Sequence, residues 1–469
     1  MNWDTIIKNG TLITSAETCR ADIYVKNGKI AAISDQPLAG AADRMVNAEG
    51  KYVLPGLIDV HVHSRDPGPV YKEDFFTSTQ AAAAGGMTTI FDMPNTTPPT
   101  RNVASFNAQR ANLEKKAHVD FGLWGICLGS LNSADLPALW QAGVIGFKYF
   151  WGYAINRETF QLSYNYRPGM DEDVIAPFSD GEVYEIFQHV ASVGGVLAIH
   201  GENSSLIQTL TAQIRQTGRE DYEALLAGRP NLAEEITVKT ALAFSRAAAA
   251  KLHVLHVTTA EAVDAIRQAK LQGTPVSAET CPHYLFLSNE DYPAVGPVMK
   301  IYPPVKYKKD QERLWQGIAD GTISIISSDH APHTAEEKAG SLWNIPAGMP
   351  GTETMAPLML NAVNEGRLSL QRLSALLAEN PARRFGIYPQ KGSLLVGSDA
   401  DLTIVDMDKQ MTIEAARLHS KSKVTAYDGW HVKGVPVETI VRGETVMKDG
   451  QIVHRPFGQL VRPLTHDKF

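Results

Sequence analysis

Cysteine is scarce in this chain. Only Cys19, Cys127 and Cys281 occur in 469 residues, far apart and odd in number. They offer no disulfide framework and no Cys-x-x-Cys, which points to a reducing, cytoplasmic setting. A bound metal would therefore need histidine, carboxylate or a less usual donor. No run of about 18 apolar residues occurs, so no membrane-spanning helix is expected. The opening Met1-Asn-Trp-Asp-Thr-Ile-Ile lacks a signal-peptide core. A basic run is also missing and the net charge is −7, which argues against a nucleic-acid partner. No Gly-x-Gly-x-x-Gly follows a strand, and there is no low-complexity tract. What remains is 44% hydrophobic and 20% charged, enough for one large α/β domain and a smaller one.

The two ends read alike. Thr5-Ile-Ile, Gly10-Thr-Leu-Ile-Thr, Asp22-Ile-Tyr-Val and Lys29-Ile-Ala-Ala-Ile are short strands, with a hairpin turn at Asn27-Gly28. Ala400-Asp-Leu-Thr-Ile-Val and Glu438-Thr-Ile-Val-Arg-Gly-Glu-Thr-Val-Met continue the pattern at the far end. A small β-sandwich domain built from 1–54 and 388–469 is expected. Between them, 55–387 alternates strands with helices. Strands are expected to end at His63, Asp92, Trp124, Phe150, His200, His256, Glu279 and Asp329. Helices are expected around Thr77–Ala84, Gly181–Val190, Ala260–Ala269 and Asp310–Trp315. Eight such units point to an α/β fold, a (β/α)8 TIM-like barrel whose active site lies at the C-terminal strand ends.

His61 and His63 are the most informative residues. They end the apolar run Tyr52-Val-Leu-Pro-Gly-Leu-Ile-Asp-Val60, which reads as one buried strand. Side chains two apart on a strand leave the same face, about 6–7 Å apart at Cα, as a ready pair of metal ligands. Lys148, His200, His256 and Asp329 fall at four other expected strand ends. Singly, each has a plainer reading: a core histidine, a lysine reaching solvent, a helix cap. Six of them at one barrel mouth argue for a centre.

The motifs His61-Val-His63-Ser-Arg-Asp-Pro-Gly68, Gly146-Phe-Lys148, His200-Gly-Glu-Asn203, Glu279-Thr-Cys-Pro-His-Tyr284 and Ser328-Asp-His-Ala-Pro-His333 resemble the cyclic amidohydrolases. That group contains dihydroorotases, allantoinases, hydantoinases and dihydropyrimidinases, and the resemblance covers essentially the whole chain. It implies two divalent metal ions, usually zinc. His61, His63 and Asp329 would hold one, His200 and His256 the other. Lys148, carboxylated by CO2 to a carbamate, would bridge both. It also implies Asp329 as the group that takes a proton from the attacking water and delivers it to the leaving nitrogen. The partner implied is a small cyclic amide, and relatives commonly form homodimers or homotetramers.

Two readings of the ring stay open. Arg65, Asn95 and His333 match dihydroorotase positions that bind a substrate carboxylate, as an arginine fork suits an anion. Alternatively, Arg65 pairs with Asp66 or Glu73, and Asn95 shapes a turn. Tyr153, together with Gly146-Phe-Lys148 and His200-Gly-Glu-Asn203, leans towards allantoinase or hydantoinase, where that tyrosine hydrogen-bonds the reacting carbonyl. The polar, aromatic segment 154–169 is long for a loop after a barrel strand. It is expected either as an ordinary surface loop or as a lid, with Arg157, Tyr164, Tyr166 or Arg167 touching substrate. Scaffold relatives that have lost the ligand set do no hydrolysis; here the whole set is retained.

Overall fold

The computed structural model describes residues 2–163, 166 and 173–464. Tyr164 and Arg167 lie outside the described residues. The middle of the chain forms an eight-stranded parallel sheet. Its strands are Leu57–Val62, Met87–Asp92, Asp120–Ile126, Gly146–Phe150, Val196–His200, Lys251–Val254, Val276–Thr280 and Ile325–Ile326. Each is paired in parallel with the next in sequence. A parallel bridge between Val62 and His330 joins the last strand to the first. There, His63 N donates to His330 O at 2.7 Å and His330 N to His61 O at 3.2 Å. The expected barrel is present.

Helices fill the crossovers where the sequence places them. The first, Phe75–Ala84, begins two residues before the expected start because Asp74 caps it. The Asp74 carboxylate accepts from Thr77 N at 2.9 Å, satisfying one of the orphan amides of the first turn. An apolar cluster plugs the barrel at the strand starts. Ile58, Phe91, Trp124, Ile145, Val196 and Ile325 meet Phe385 and Ile387 there. With one end closed by hydrophobic packing, a polar site can open only at the other.

Both termini build two further sheets. One holds Asn2–Lys8, Asp22–Lys26, Lys29–Ser34 and Ala41–Asn47. The other has seven strands, including Thr11–Ile13, Tyr52–Pro55, Leu402–Thr412 and His431–Val441. Ile7, Ile23, Val25, Val53, Leu402, Ile404 and Ile440 share the core of this sandwich. The Asn27-Gly28 hairpin is also present, with Lys26 opposite Lys29. Residues 457–464 run back along the barrel, where Phe121 N donates to Gln459 O at 3.0 Å and Val461 N to Phe121 O at 2.7 Å.

One expectation is corrected here. The run from Tyr52 to Val60 is not a single strand. Tyr52–Pro55 belongs to the seven-stranded sheet and Leu57–Val62 to the barrel. Gly56 is the crossing point, and its N–H donates to Asp401 O at 2.8 Å. A Cβ at Gly56 would run into the Thr88 side chain and lie 2.7 Å from Asp401 Cβ. A continuous hydrophobic run can serve two sheets only where the backbones can come this close.

The expectation of an ordinary surface loop after Tyr153 is corrected. The segment contains a small three-stranded antiparallel sheet of Ala154–Asn156, Leu162–Ser163 and Val174–Ile175. Ile155, Leu162, Val174 and Ile175, set among polar residues, carry most of the ladder. Among the described residues, no helix is long and apolar enough to cross a membrane.

Gly56→Ala should destabilise the fold by about 1–3 kcal/mol, the usual penalty for forcing an extra methyl into a packed contact. Chemical denaturation of the two proteins measures this.

Candidate metal centre

The six residues singled out from strand ends converge on one cavity of about 580 Å3. His61 and His200 arrive as expected, at or next to strand termini, while Lys148 comes from the middle of Gly146–Phe150. His256 and Asp329 instead sit two and three residues past their strands. Their φ values are 37° and 45°, and that of Arg65 is 62°. Non-glycine residues in this left-handed region cost of order 1–3 kcal/mol each. The turn they make carries the side chains back over the barrel mouth, so strain is spent where the site is built.

Each histidine but one has a partner that sets its direction. His61 Nδ1 lies 2.7 Å from Glu279 Oε1, and its Nε2 lies 3.2 Å from Asp329 Oδ1. His63 Nδ1 lies 2.9 Å from Asn95 Oδ1, with Nε2 3.5 Å from the same Asp329 oxygen. His200 Nε2 faces Glu202 Oε2 at 3.0 Å, while its Nδ1 sits 3.0 Å from His256 Nε2. An oxygen behind one ring nitrogen accepts a hydrogen bond from its N–H and leaves the opposite nitrogen as a lone pair facing inward. His256 differs: its Nδ1 is buried with no hydrogen-bond partner among the described residues.

Burial shapes the charges. It lowers His63 to about 4 and His256 well below the usual imidazole value, so both rings are neutral donors. Burial would raise the Asp329 carboxyl, but the adjacent His61 and the hydrogen bond from His63 hold it well below its usual value. Burial would likewise raise Glu279, yet His61 and His253 hold it low. Glu202 is lowered to about 2, because Arg229 and His200 outweigh its burial. Lys148 is buried, and no carboxylate among the described residues pairs with it. Desolvation lowers its amine to about 7.

This donor set fits a pair of divalent ions. Three ligand atoms from His61, His63 and Asp329 lie within 4.8 Å of one another. His200 Nδ1 and His256 Nε2 form a second converging pair. A buried lysine whose desolvation outweighs the nearby Asp329 and Glu279, and which is therefore readily deprotonated, is what carbamate formation requires. A second acidic group, Asp120, Asp399 and Asp401, fits poorly, because Lys391 already fills it with ion pairs to all three.

Arg65, Asn95, His333 and Tyr153 line the same cavity. Asn95 Oδ1 is engaged by His63. His333 Nε2 donates to Ala347 O at 3.1 Å, and its Nδ1 lies 3.1 Å from Lys72 Nζ. Arg65 Nη2 is 3.4 Å from His333 Nε2. Tyr153 OH is 3.4 Å from His200 Nε2. Arg65 does not pair with Asp66 or Glu73; Lys116 bonds Asp66, and Ser420 bonds Glu73.

From the rim insert, Phe160, Gln161 and Leu162 reach the cavity, whereas Arg157 and Tyr166 do not line it. Sequence reasoning missed these three, and also Glu279 and Glu202 as orienting groups. Glu279 closes an expected strand, so its position was a signal. Nothing in the local sequence marks Arg229, which reaches Glu202 from a distant helix end.

The amidohydrolase family profile matches residues 52–446. An L-hydantoinase of Paenarthrobacter aurescens is 39% identical over 98% of both chains. An allantoinase of Solibacter usitatus is 36% identical, covering 98% of this chain and 97% of that one. The solved structure of an L-hydantoinase (dihydropyrimidinase) from Arthrobacter aurescens superimposes with a TM-score of 0.91 at 38% identity, covering 98% of this chain and 100% of that one.

Glu279→Ala strands His61 Nδ1 and His253 Nε2, each now bonded to that carboxylate. The metal-free protein should lose about 1–3 kcal/mol for each group left unsatisfied, read from its urea midpoint.

Proposed function

Because this chain belongs to the amidohydrolase family, we propose that it hydrolyses a ring C–N bond in a neutral cyclic amide of the hydantoin or allantoin type. The observation that carries this reading is the convergence of His61, His63, Lys148, His200, His256 and Asp329 on one cavity. His61, His63 and Asp329 would hold one divalent ion, His200 and His256 a second, and carboxylated Lys148 both, with zinc the expected metal. Metal ions held there supply Lewis-acid activation of the amide carbonyl and of the attacking water.

The protein's own groups do the rest. Asp329 accepts a proton from the attacking water and passes it to the ring nitrogen as the C–N bond breaks. Tyr153 hydrogen-bonds the carbonyl oxygen as negative charge builds on it. Ile126, Phe150, Phe160 and Leu162 line the cavity and exclude water around the ring. For a cyclic ureide, the product is a ring-opened N-carbamoyl acid.

A charged ring such as dihydroorotate needs donors for its carboxylate. Asn95 meets His63 through its acceptor Oδ1, but His333 already gives its Nε2 proton to Ala347 O, so one of the three expected donors is engaged. That supports a neutral ring over the anionic one. The rim insert that brings Phe160, Gln161 and Leu162 to the cavity is assigned the choice among neutral rings.

Asp329→Asn should keep much of its metal yet lose about 10²–10⁴-fold in turnover, the usual contribution of a positioned proton-transfer group. Near wild-type turnover with a full metal complement removes Asp329 from that role. On a matched panel, zinc-loaded protein treated with bicarbonate should open hydantoin or allantoin faster than dihydroorotate. Preference for dihydroorotate would instead make Arg65, Asn95 and His333 a working carboxylate site.

A further inference from the structure

Glu202 lies two residues after His200 and invites reading as one more metal ligand. The geometry argues otherwise. Its Oε2 is 3.0 Å from His200 Nε2, whereas the converging partner His256 sits on the Nδ1 side of the same ring. The carboxylate therefore stands behind the imidazole, and it is absent from the cavity lining. Its other partner is Arg229, with Nη1 at 2.5 Å and both side chains largely buried. Arg229 follows the short helix Tyr222–Gly228, and Lys306 Nζ bonds its carbonyl oxygen. The guanidinium then lies 3.5 Å from the ring centroid of Tyr302, which lines the cavity.

A continuous path of contacts runs from His200 through Glu202 and Arg229 to Tyr302. A buried ion pair is a poor source of stability, because desolvating two charges offsets most of their attraction. Its cost makes sense if it fixes something else. A carboxylate behind a ligating imidazole sets the tautomer and ring orientation and raises ligand basicity. An arginine plane stacked on an aromatic ring holds that ring's face in one orientation.

We propose that Glu202 and Arg229 are a positioning pair: Glu202 fixes His200 for metal binding, and Arg229 both anchors Glu202 and braces Tyr302 on the substrate wall. The inference rests on the metal centre proposed above, and it links metal affinity to the shape of the pocket through one ion pair.

The test uses zinc-loaded full-length protein, with bound zinc followed by elemental analysis across a chelator titration. Glu202→Gln should release zinc about 10–100-fold more readily than wild type, the usual effect of losing such a partner. Arg229→Lys keeps a charge for Glu202 but not the plane over Tyr302. It should hold zinc within a few-fold of wild type, yet raise KM with little change in kcat. If Glu202→Gln does not fold, the double variant Glu202→Gln/Arg229→Met removes both buried charges together and should fold while still binding zinc weakly. Wild-type zinc retention in either Glu202 variant overturns the role of Glu202. An unchanged KM in Arg229→Lys overturns the bracing of Tyr302. Wild-type protein that takes up no zinc would instead defeat the metal centre itself, which separates the two failures.

Discussion

Closure of the barrel between its first and last strands is the constraint on which the site depends. Two backbone hydrogen bonds, His63 N to His330 O and His330 N to His61 O, make the join. Asp59 adds a second tie, accepting from Ser328 N at 3.1 Å. Without that seam, Asp329 would sit more than two hundred residues from His61 with nothing to bring them together. With it, one carboxylate oxygen lies 3.2 Å from His61 and 3.5 Å from His63. The last strand is only Ile325–Ile326, so the residues past it are left to turn. The positive φ of Asp329 is part of that turn.

Around this seam the structure repeats one device. Imidazoles are placed in a buried pocket, and an oxygen is set behind each of three: Glu279 behind His61, Asn95 behind His63, Glu202 behind His200. Burial makes charging His63 and His200 costly, and the outer oxygens decide which nitrogen faces the cavity. Lys148 extends the same logic to an amine, since desolvation outweighs the nearby Asp329 and Glu279 and favours its uncharged, reactive form. The hydrophobic plug at the opposite end of the barrel, centred on Trp124 and Phe385, keeps these polar groups from needing a second exit.

The ion-pair knot of Lys391 with Asp120, Asp399 and Asp401 shows how the barrel and the terminal sandwich are joined. Asp120 opens a barrel strand, while Asp399 and Asp401 lead into the sandwich strand Leu402–Thr412. Arg442, on the far side, also pairs with Asp120. Three segments distant in sequence meet at one buried cluster. Nothing in the local sequence around Asp399 and Asp401 says that Lys391 and a barrel strand complete the cluster.

The sequence by itself determined the periodic features. Alternating strands and helices announced the barrel, short strands at both ends announced the sandwich, and Asn27-Gly28 fixed a hairpin through the left-handed backbone those residues tolerate. Strand-end position alone nominated His61, His63, Lys148, His200, His256 and Asp329, because side-chain direction on a strand repeats every second residue. Tertiary structure decided everything that depends on distance through space. It split Tyr52–Val60 at Gly56, folded the rim segment into a sheet, and turned Asn95 and His333 towards protein partners. It also brought Arg229 to Glu202. Pairings of this kind follow from how close two backbones or two buried charges can come. That is set by packing among remote segments, which no local pattern of residues encodes.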